Sequence, residues 1–346
     1  MKIDLTRGMK KIRIPGTLPV LLLCLAAAAV VILFFSNTPM ETLYYFFPGV
    51  LSNSLYLGEM LNTIVLLSIT GLGIVLAFNA GSFNLGGEGQ VYTGAICAVL
   101  TARLLPEMPG IPGISVLLLS GIAGGAALAF ISGVLKALWD VDDLISTFLL
   151  SAGVGKLIDY LITGPLRDSS SYLMTTAPLP EKFRLPSLLI PSPFNISFLL
   201  PLLLLPLFHY FLNHTRQGYE LQITGRSSSF ARHSGLNMRI YQTLPLTASG
   251  ALHGLAGALV LTGTYFAGIQ GLTSGLGWNG IAVAMIAGRK VPGLLPAALF
   301  FAWISQGSKI AVLHSDISLE LGAIIQGVLF LLISSSVLRI KSRRRR

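Results

Sequence analysis

Long apolar stretches recur along the chain, separated by short polar or Gly/Pro-rich breaks and showing no period-two alternation. They cover residues 17–36, 61–79, 91–105, 113–137, 143–163, 198–213, 241–262, 278–288, 293–313 and 317–338. A hydrocarbon core about 30 Å thick takes roughly 20 apolar residues per helix, and backbone groups inside it must be satisfied within the segment. The pattern therefore predicts an all-α polytopic membrane protein of about ten transmembrane helices, a single domain over residues 1–346. The third and eighth stretches are short for a full crossing, and each adjoins a Gly-rich break, residues 79–90 and 271–280. Interrupted segments in corresponding halves of a membrane chain point to a pathway near the midplane.

Composition supports this reading: 53% of the 346 residues are hydrophobic and 11% charged, against about 25% charged in soluble domains. The net charge of +10 suggests nucleic acid until its distribution is followed. With the N terminus inside and ten crossings, inside-facing pieces hold 18 of the 24 Lys and Arg residues, among them Lys136, Arg216, Arg239, Arg289 and the tail from Arg339. Outside-facing pieces hold Arg103, Arg167, Lys182 and Arg184. This is the positive-inside bias, so the chain is expected to be N-in/C-in, with membrane lipid rather than nucleic acid as the partner of its basic ends. The first stretch lacks a small-residue cleavage site and reads as a retained helix that doubles as the insertion signal. Cys24 and Cys97 lie in apolar runs without CxxC spacing, which excludes a disulfide framework and a metal site of that kind.

Two polar segments stand out: residues 164–197, expected as an extracytoplasmic loop, and residues 214–240, expected as a basic cytoplasmic loop. The break at residues 77–95 carries Asn79, Asn84, Glu88 and Gln90 between two apolar runs. Such groups at membrane depth either line a cavity or find internal partners, so a substrate pathway and a helix-capping turn are both open. Trp278 and Asn279, at the start of the short eighth stretch, are placed to face the path, with an interfacial belt position the alternative for Trp278. Gly250, Gly254 and Gly257 have the spacing of close helix packing, and His253 among them reads as a hydrogen-bonded packing residue. Lys156 and Asp159 are placed to pair on one helix face, and Asp142 or Asp143 to cap a helix.

No G-x-x-x-x-G-K-[ST] phosphate loop is present, so an active transporter built on this chain needs a separate ATPase. Ser249 and His253 lie one helical turn apart, yet an intramembrane hydrolase also needs an oriented base and oxyanion donors. An ion-coupled secondary transporter is disfavoured by sparse intramembrane carboxylates.

The stretch FNLGGEGQ at residues 83–90 resembles the signature of permeases in the branched-chain amino acid, ribose and nucleoside branch of bacterial ABC importers. YLITGPLRD (160–168), TGRSSSFARHSGL (224–236), TASGALHGLAGAL (247–259) and GLGWNGIAVAMIAGRKVPG (275–293) continue the resemblance in order along almost the whole chain. It implies a type II ABC importer permease with two inverted half-repeats around a central path, in the bacterial inner membrane. Implied partners are a second permease subunit (homo- or heterodimer), an extracytoplasmic substrate-binding lipoprotein and a cytoplasmic ABC ATPase that uses ATP and Mg. The chain itself then has no cofactor and no enzymatic role. The expected solute is small, planar and polar: a nucleoside first, riboflavin or a simple sugar next.

Within the cytoplasmic loop the resemblance implies a coupling helix over residues 227–235 that docks on the ATPase. Arg226 and Ser227 lead into it, Phe230 is its apolar plug, Arg232 its polar arm and Gly235 a left-handed stop. Ser227 and Ser228 stand where the family has Asn-Pro, and His233 replaces the usual Tyr. The run FLLSAGVGK at residues 148–156 lacks the Asn-Tyr pair usual in nucleoside permeases, which keeps riboflavin and sugars in view.

Overall fold

Apolar runs that cannot leave backbone groups unpaired in lipid become helices, and helices dominate the computed structural model of the protein. It describes residues 18–316, with side chains from residue 25, together with residues 318, 324 and 327. The tenth expected span, apart from those last three positions, lies outside the described residues, as do both charged ends. In chain order the helices are α1 (Leu18–Phe35), α2 (Pro39–Phe46), α3 (Ser54–Asn79), α4 (Gly87–Leu104), α5 (Gly110–Trp139) and α6 (Asp143–Thr163). They continue with α7 (Leu199–His214), α8 (Arg216–Arg226), α9 (Ser228–His233), α10 (Met238–Val260), α11 (Leu276–Ile286) and α12 (Leu294–His314). A π turn, Leu261–Tyr265, extends α10. Among the described residues there is no strand; isolated bridges join Arg167 to Thr176, Thr175 to Ile269 and Ser187 to Asn195.

Six helical segments among the described residues are long and apolar enough to cross a membrane: α3, α5, α6, Ile196–His214, Met238–Tyr265 and Val291–His314. The expected boundaries shift for local reasons. Helix α3 begins at residue 54 rather than 61 because Asn53 caps it, its side chain accepting from Tyr56 N at 2.8 Å. The third stretch is not short: α4 runs for 18 residues, starting on the polar turn of Glu88 and Gln90 that the apolar count left out. Helix α11 does stay short, 11 residues or about 16 Å of rise. Residues 214–240 are largely helical, α8 capped by Thr215 and α9 by Ser227.

Helices α3 and α10 are mostly buried and form the centre, whereas α5, α6 and α7 keep one face open. Small residues set the central packing. A Cβ at Gly254 would collide with the Gly121 carbonyl oxygen, one at Gly250 with that of Gly125, and one at Gly257 with that of Val91. Backbones of α10, α5 and α4 therefore touch directly, which supplies the van der Waals contact that holds helices together where lipid offers no hydrophobic drive.

Candidate functional site

The break between α3 and α4 turns at Gly81, whose φ of +75° favours glycine. Asn79 ends α3, and its Nδ2 donates to the carbonyl oxygens of Val75 (2.8 Å) and Arg289 (3.3 Å). Asn84 and Gln90 form a reciprocal amide pair: Asn84 Nδ2 donates to Gln90 Oε1 at 2.8 Å and Gln90 Nε2 to Asn84 Oδ1 at 3.0 Å. Asn84 Nδ2 also donates to Ser249 Oγ of α10 at 2.9 Å. Both amides are 1% exposed, so their hydrogen-bonding capacity is turned inward.

Glu88 is placed differently. Its carboxylate accepts from Gly275 N at 3.0 Å and from Gly277 N at 2.9 Å, at the first turn of α11. A negative charge there meets unpaired N–H groups and the positive end of the helix dipole. Glu88 thus seats α11, and with it Trp278, at the edge of a lateral groove of about 280 Å³ between α4, α6 and α11. Trp278, 42% exposed, meets Phe148 of α6 edge-to-face at 6.0 Å between ring centroids. At the groove's other end Tyr92 donates to Asp159 Oδ1 at 2.8 Å and to Ile269 O at 3.2 Å. Lys156 lies 3.7 Å from Asp159 with 88% of its side chain exposed. Ser151 Oγ, accepting from Gly89 N at 2.7 Å, ties α6 to α4 in between.

The structure therefore brings Glu88 and Trp278 to one groove. Asn279 lines a different cavity, enclosed by α3, α10 and α12. Phe148 and Tyr92 had no sequence signal beyond helical spacing: Tyr92 stands four residues after Glu88, on the same face. Asp142, not Asp143, caps α6, accepting from Leu144 N at 2.8 Å. Asp143 instead takes Lys136 Nζ at 2.5 Å and Phe83 N at 2.9 Å, pinning the break to the α5–α6 corner. His253 is fully buried, and its Nδ1 donates to the Ser249 backbone oxygen at 2.7 Å, so no Ser–His nucleophile pair is formed. Among the described residues no three His, Cys, Asp or Glu side chains converge to hold a metal.

Gly225, one residue before Arg226, packs its backbone on Asn79 and Gly81, so the α8–α9 segment rests directly on the break. Ser227 Oγ accepts from Phe230 N at 3.2 Å, and α9 closes at Gly235 with φ +78°. Ala231 faces inward, while Phe230 is 60% exposed and Arg226 and Arg232 are exposed without an ion pair among the described residues. Glu220 on α8 accepts from Tyr241 and from Arg216 Nε at 2.8 Å. The Tyr241 hydroxyl first, and Arg216 after it, hold the Glu220 carboxyl below the usual carboxylate range.

Membrane-length helices beside a lateral groove, with a basic helical segment presented at one end, are the architecture of a multi-pass membrane protein. The chain belongs to the family of branched-chain amino acid transport system permease components, matching it over residues 56–334. It is similar to the probable riboflavin import permease RfuC of Treponema pallidum, 33% identical over 93% of this chain and 86% of the relative. The guanosine ABC transporter permease NupP of Bacillus subtilis is 27% identical over 83% of each chain. The glucose ABC transporter permease TsgB13 of Haloferax volcanii is 26% identical over 86% of this chain and 81% of the relative. The protein is thus a multi-pass permease subunit of an ABC importer for a small polar solute. It acts with an ATPase and a substrate-binding partner, ATP being hydrolysed by the separate ATPase subunit.

Proposed function

We propose that this subunit carries a planar heteroaromatic solute bearing a hydroxylated arm, riboflavin before a nucleoside, along the groove between α6 and α11. The observation that carries this reading is the α6 face itself. Lys156 stands two turns inside a spanning helix with its side chain 88% exposed. An ammonium on a lipid-facing wall at that depth is costly, and it is at home on a water-filled path. Beside it the Phe148–Trp278 edge offers two aromatic surfaces for a planar ring. Gly153 and Gly155 have open space where a Cβ would stand, a surface a second permease subunit can approach closely. Riboflavin is favoured over a nucleoside by the 33% identity with RfuC, and the guanosine permease keeps nucleosides as the second reading.

In this scheme the chain lies N-in/C-in in a bacterial inner membrane with ten crossings, a lipoprotein delivers the solute to residues 164–197, and a permease dimer closes the groove. Residues 214–240 meet the ATPase: Phe230 as plug, Arg226 and Arg232 as polar arms, Ser227 and Gly235 as the stops of α9. Asn79, Asn84 and Gln90 support the path by holding the break, Glu88 by seating Trp278, and Asn279 from the cavity behind. The test is uptake of labelled riboflavin, guanosine and glucose by the complete transporter in proteoliposomes. ATP-dependent riboflavin uptake that falls at least tenfold in Trp278→Ala is expected. Uptake driven by an ion gradient without ATP, or uptake of glucose alone, would overturn the reading.

A further inference from the structure

Helices α5 and α10 leave a furrow of about 460 Å³ between them, at the end of the bundle where α5 finishes and α10 starts. Its walls are Phe130, Val134 and Leu138 of α5 and Ile240 and Leu244 of α10. The four-residue spacing puts each set on one face of its helix. Behind the walls the two backbones meet: a Cβ at Gly133 would lie 2.9 Å from Thr243 Cα, and Thr243 Oγ1 donates to Gly133 O at 3.1 Å. Thr247 Oγ1 donates to Thr243 O at 2.9 Å. Both hydroxyl protons in the furrow are thus used within the protein, and the surface left over is almost wholly hydrocarbon. Phe130, Leu138, Ile240 and Leu244 are each at least half exposed, on two helices long enough to cross a membrane, so this face needs an apolar cover.

The cover must also answer a charge. Arg239, in the first turn of α10, lines the end of the furrow and is exposed, and its guanidinium has no ion pair or hydrogen bond among the described residues. No acid lines the furrow, and none stands in the first turn of α10. At the same end Leu138 is followed by exposed Trp139, a residue type that favours the membrane–water boundary. From Arg239 to Thr247 the furrow follows α10 for about 12 Å of helix axis, against about 15 Å for one leaflet of a 30 Å hydrocarbon core. We infer that the furrow is a binding site for one anionic glycerophospholipid, with an acyl chain lying between α5 and α10 and the phosphate paired with Arg239. A water-soluble anion would leave the hydrocarbon face bare, and a zwitterionic lipid would bring a cation of its own beside the guanidinium. The site is separate from the α6 face offered to a second permease subunit and from the basic chain ends. It requires only that α5 and α10 span a membrane, whatever the cargo.

The experiment uses the complete transporter in nanodiscs of equal parts phosphatidylglycerol and phosphatidylcholine, with photoreactive p-benzoylphenylalanine in place of Leu244 and the adduct identified by mass spectrometry. Phosphatidylglycerol adducts are expected in about fivefold excess, the preference that one cation at a membrane surface confers. Arg239→Gln in the same background should bring the ratio close to one, and Ala137→Trp, which fills the furrow, should suppress both lipid adducts severalfold. Raising NaCl to 1 M, where the screening length falls to about 3 Å, should lower the ratio without any change at Arg239. Equal adducts from both lipids, or adducts to a second permease chain in place of lipid, overturn the inference. So does the absence of a lipid adduct, or a ratio left unchanged by Arg239→Gln or, if that variant fails to assemble, by salt. Solute uptake is not the readout, so this inference and the proposed path along α6 and α11 can fail separately.

Discussion

Removing the Glu88 carboxylate should unseat α11 and with it the aromatic edge of the groove. In the structure this one side chain accepts from two backbone donors, Gly275 N at 3.0 Å and Gly277 N at 2.9 Å, in a helix of 11 residues. A hydrogen bond to a charged acceptor contributes about 1.5–3 kcal/mol, and the dipole term at a helix start adds about 0.5 kcal/mol. Allowing for partial relaxation, Glu88→Ala should cost about 3 kcal/mol locally, roughly two orders of magnitude in the population of the seated turn. Glu88→Gln keeps one acceptor but turns an amide N–H toward a backbone N–H, so about half the loss is expected. The assay is solute uptake by reconstituted transporter beside thermal unfolding of the purified complex. Uptake should fall in the order wild type, Glu88→Gln, Glu88→Ala, with a modest fall in melting temperature. Wild-type uptake and stability in Glu88→Ala would refute the seating argument. Equal loss in both variants would show that the charge, not the paired acceptors, is what matters.

Three further outcomes follow from other contacts. Gly254→Ala must force α10 away from the Gly121 carbonyl of α5 and should cost about 1–3 kcal/mol by overpacking, read as lost assembly on gel filtration. Phe230→Ala with Arg232→Ala should leave membrane insertion intact while uncoupling ATP hydrolysis from uptake; unchanged transport would remove the coupling role of α9. Asp316, beyond α12, accepts from Ser36 Oγ at 2.6 Å, Asn37 N at 2.5 Å and Thr38 Oγ1 at 3.2 Å, and Ser36 first, then Asn37 N, hold its carboxyl well below the usual range. A carboxyl depressed in the folded state stabilises fully above its unfolded value of about 3.9. That contribution is lost as pH falls toward the folded value, so acid melting should begin at higher pH in Asp316→Ala than in wild type.

Much of the architecture was legible because length and apolarity alone decide whether a segment can span lipid. The runs that became α3, α5, α6, α10 and α12 were visible, and so were a cap at Asp142 or Asp143, of which the structure uses Asp142, and the left-handed stop at Gly235. The small-residue spacing of Gly250 and Gly254 announced close packing, though not that Gly121 and Gly125 would be its partners. The family itself was readable from five ordered motifs, since they keep residue types and spacing that survive in one chain.

What the chain order could not decide was the pairing of polar groups across the bundle. Asn79, Asn84, Glu88 and Gln90 look alike as polar residues at membrane depth, yet three of them satisfy internal partners and only Glu88 reaches the groove, by capping a helix that begins nearly 190 positions later. Trp278 and Asn279 are neighbours in sequence and line different cavities, because adjacent positions on a helix point about 100° apart. Sequence alone determined the helices and the expected charge bias, which follow from local composition, and the class of machine, which follows from the resemblance its ordered motifs carry. Tertiary structure alone decided which amide bonds which, where α11 is seated and that a second polar cavity exists, because those depend on how packed backbones bring distant residues within hydrogen-bonding reach.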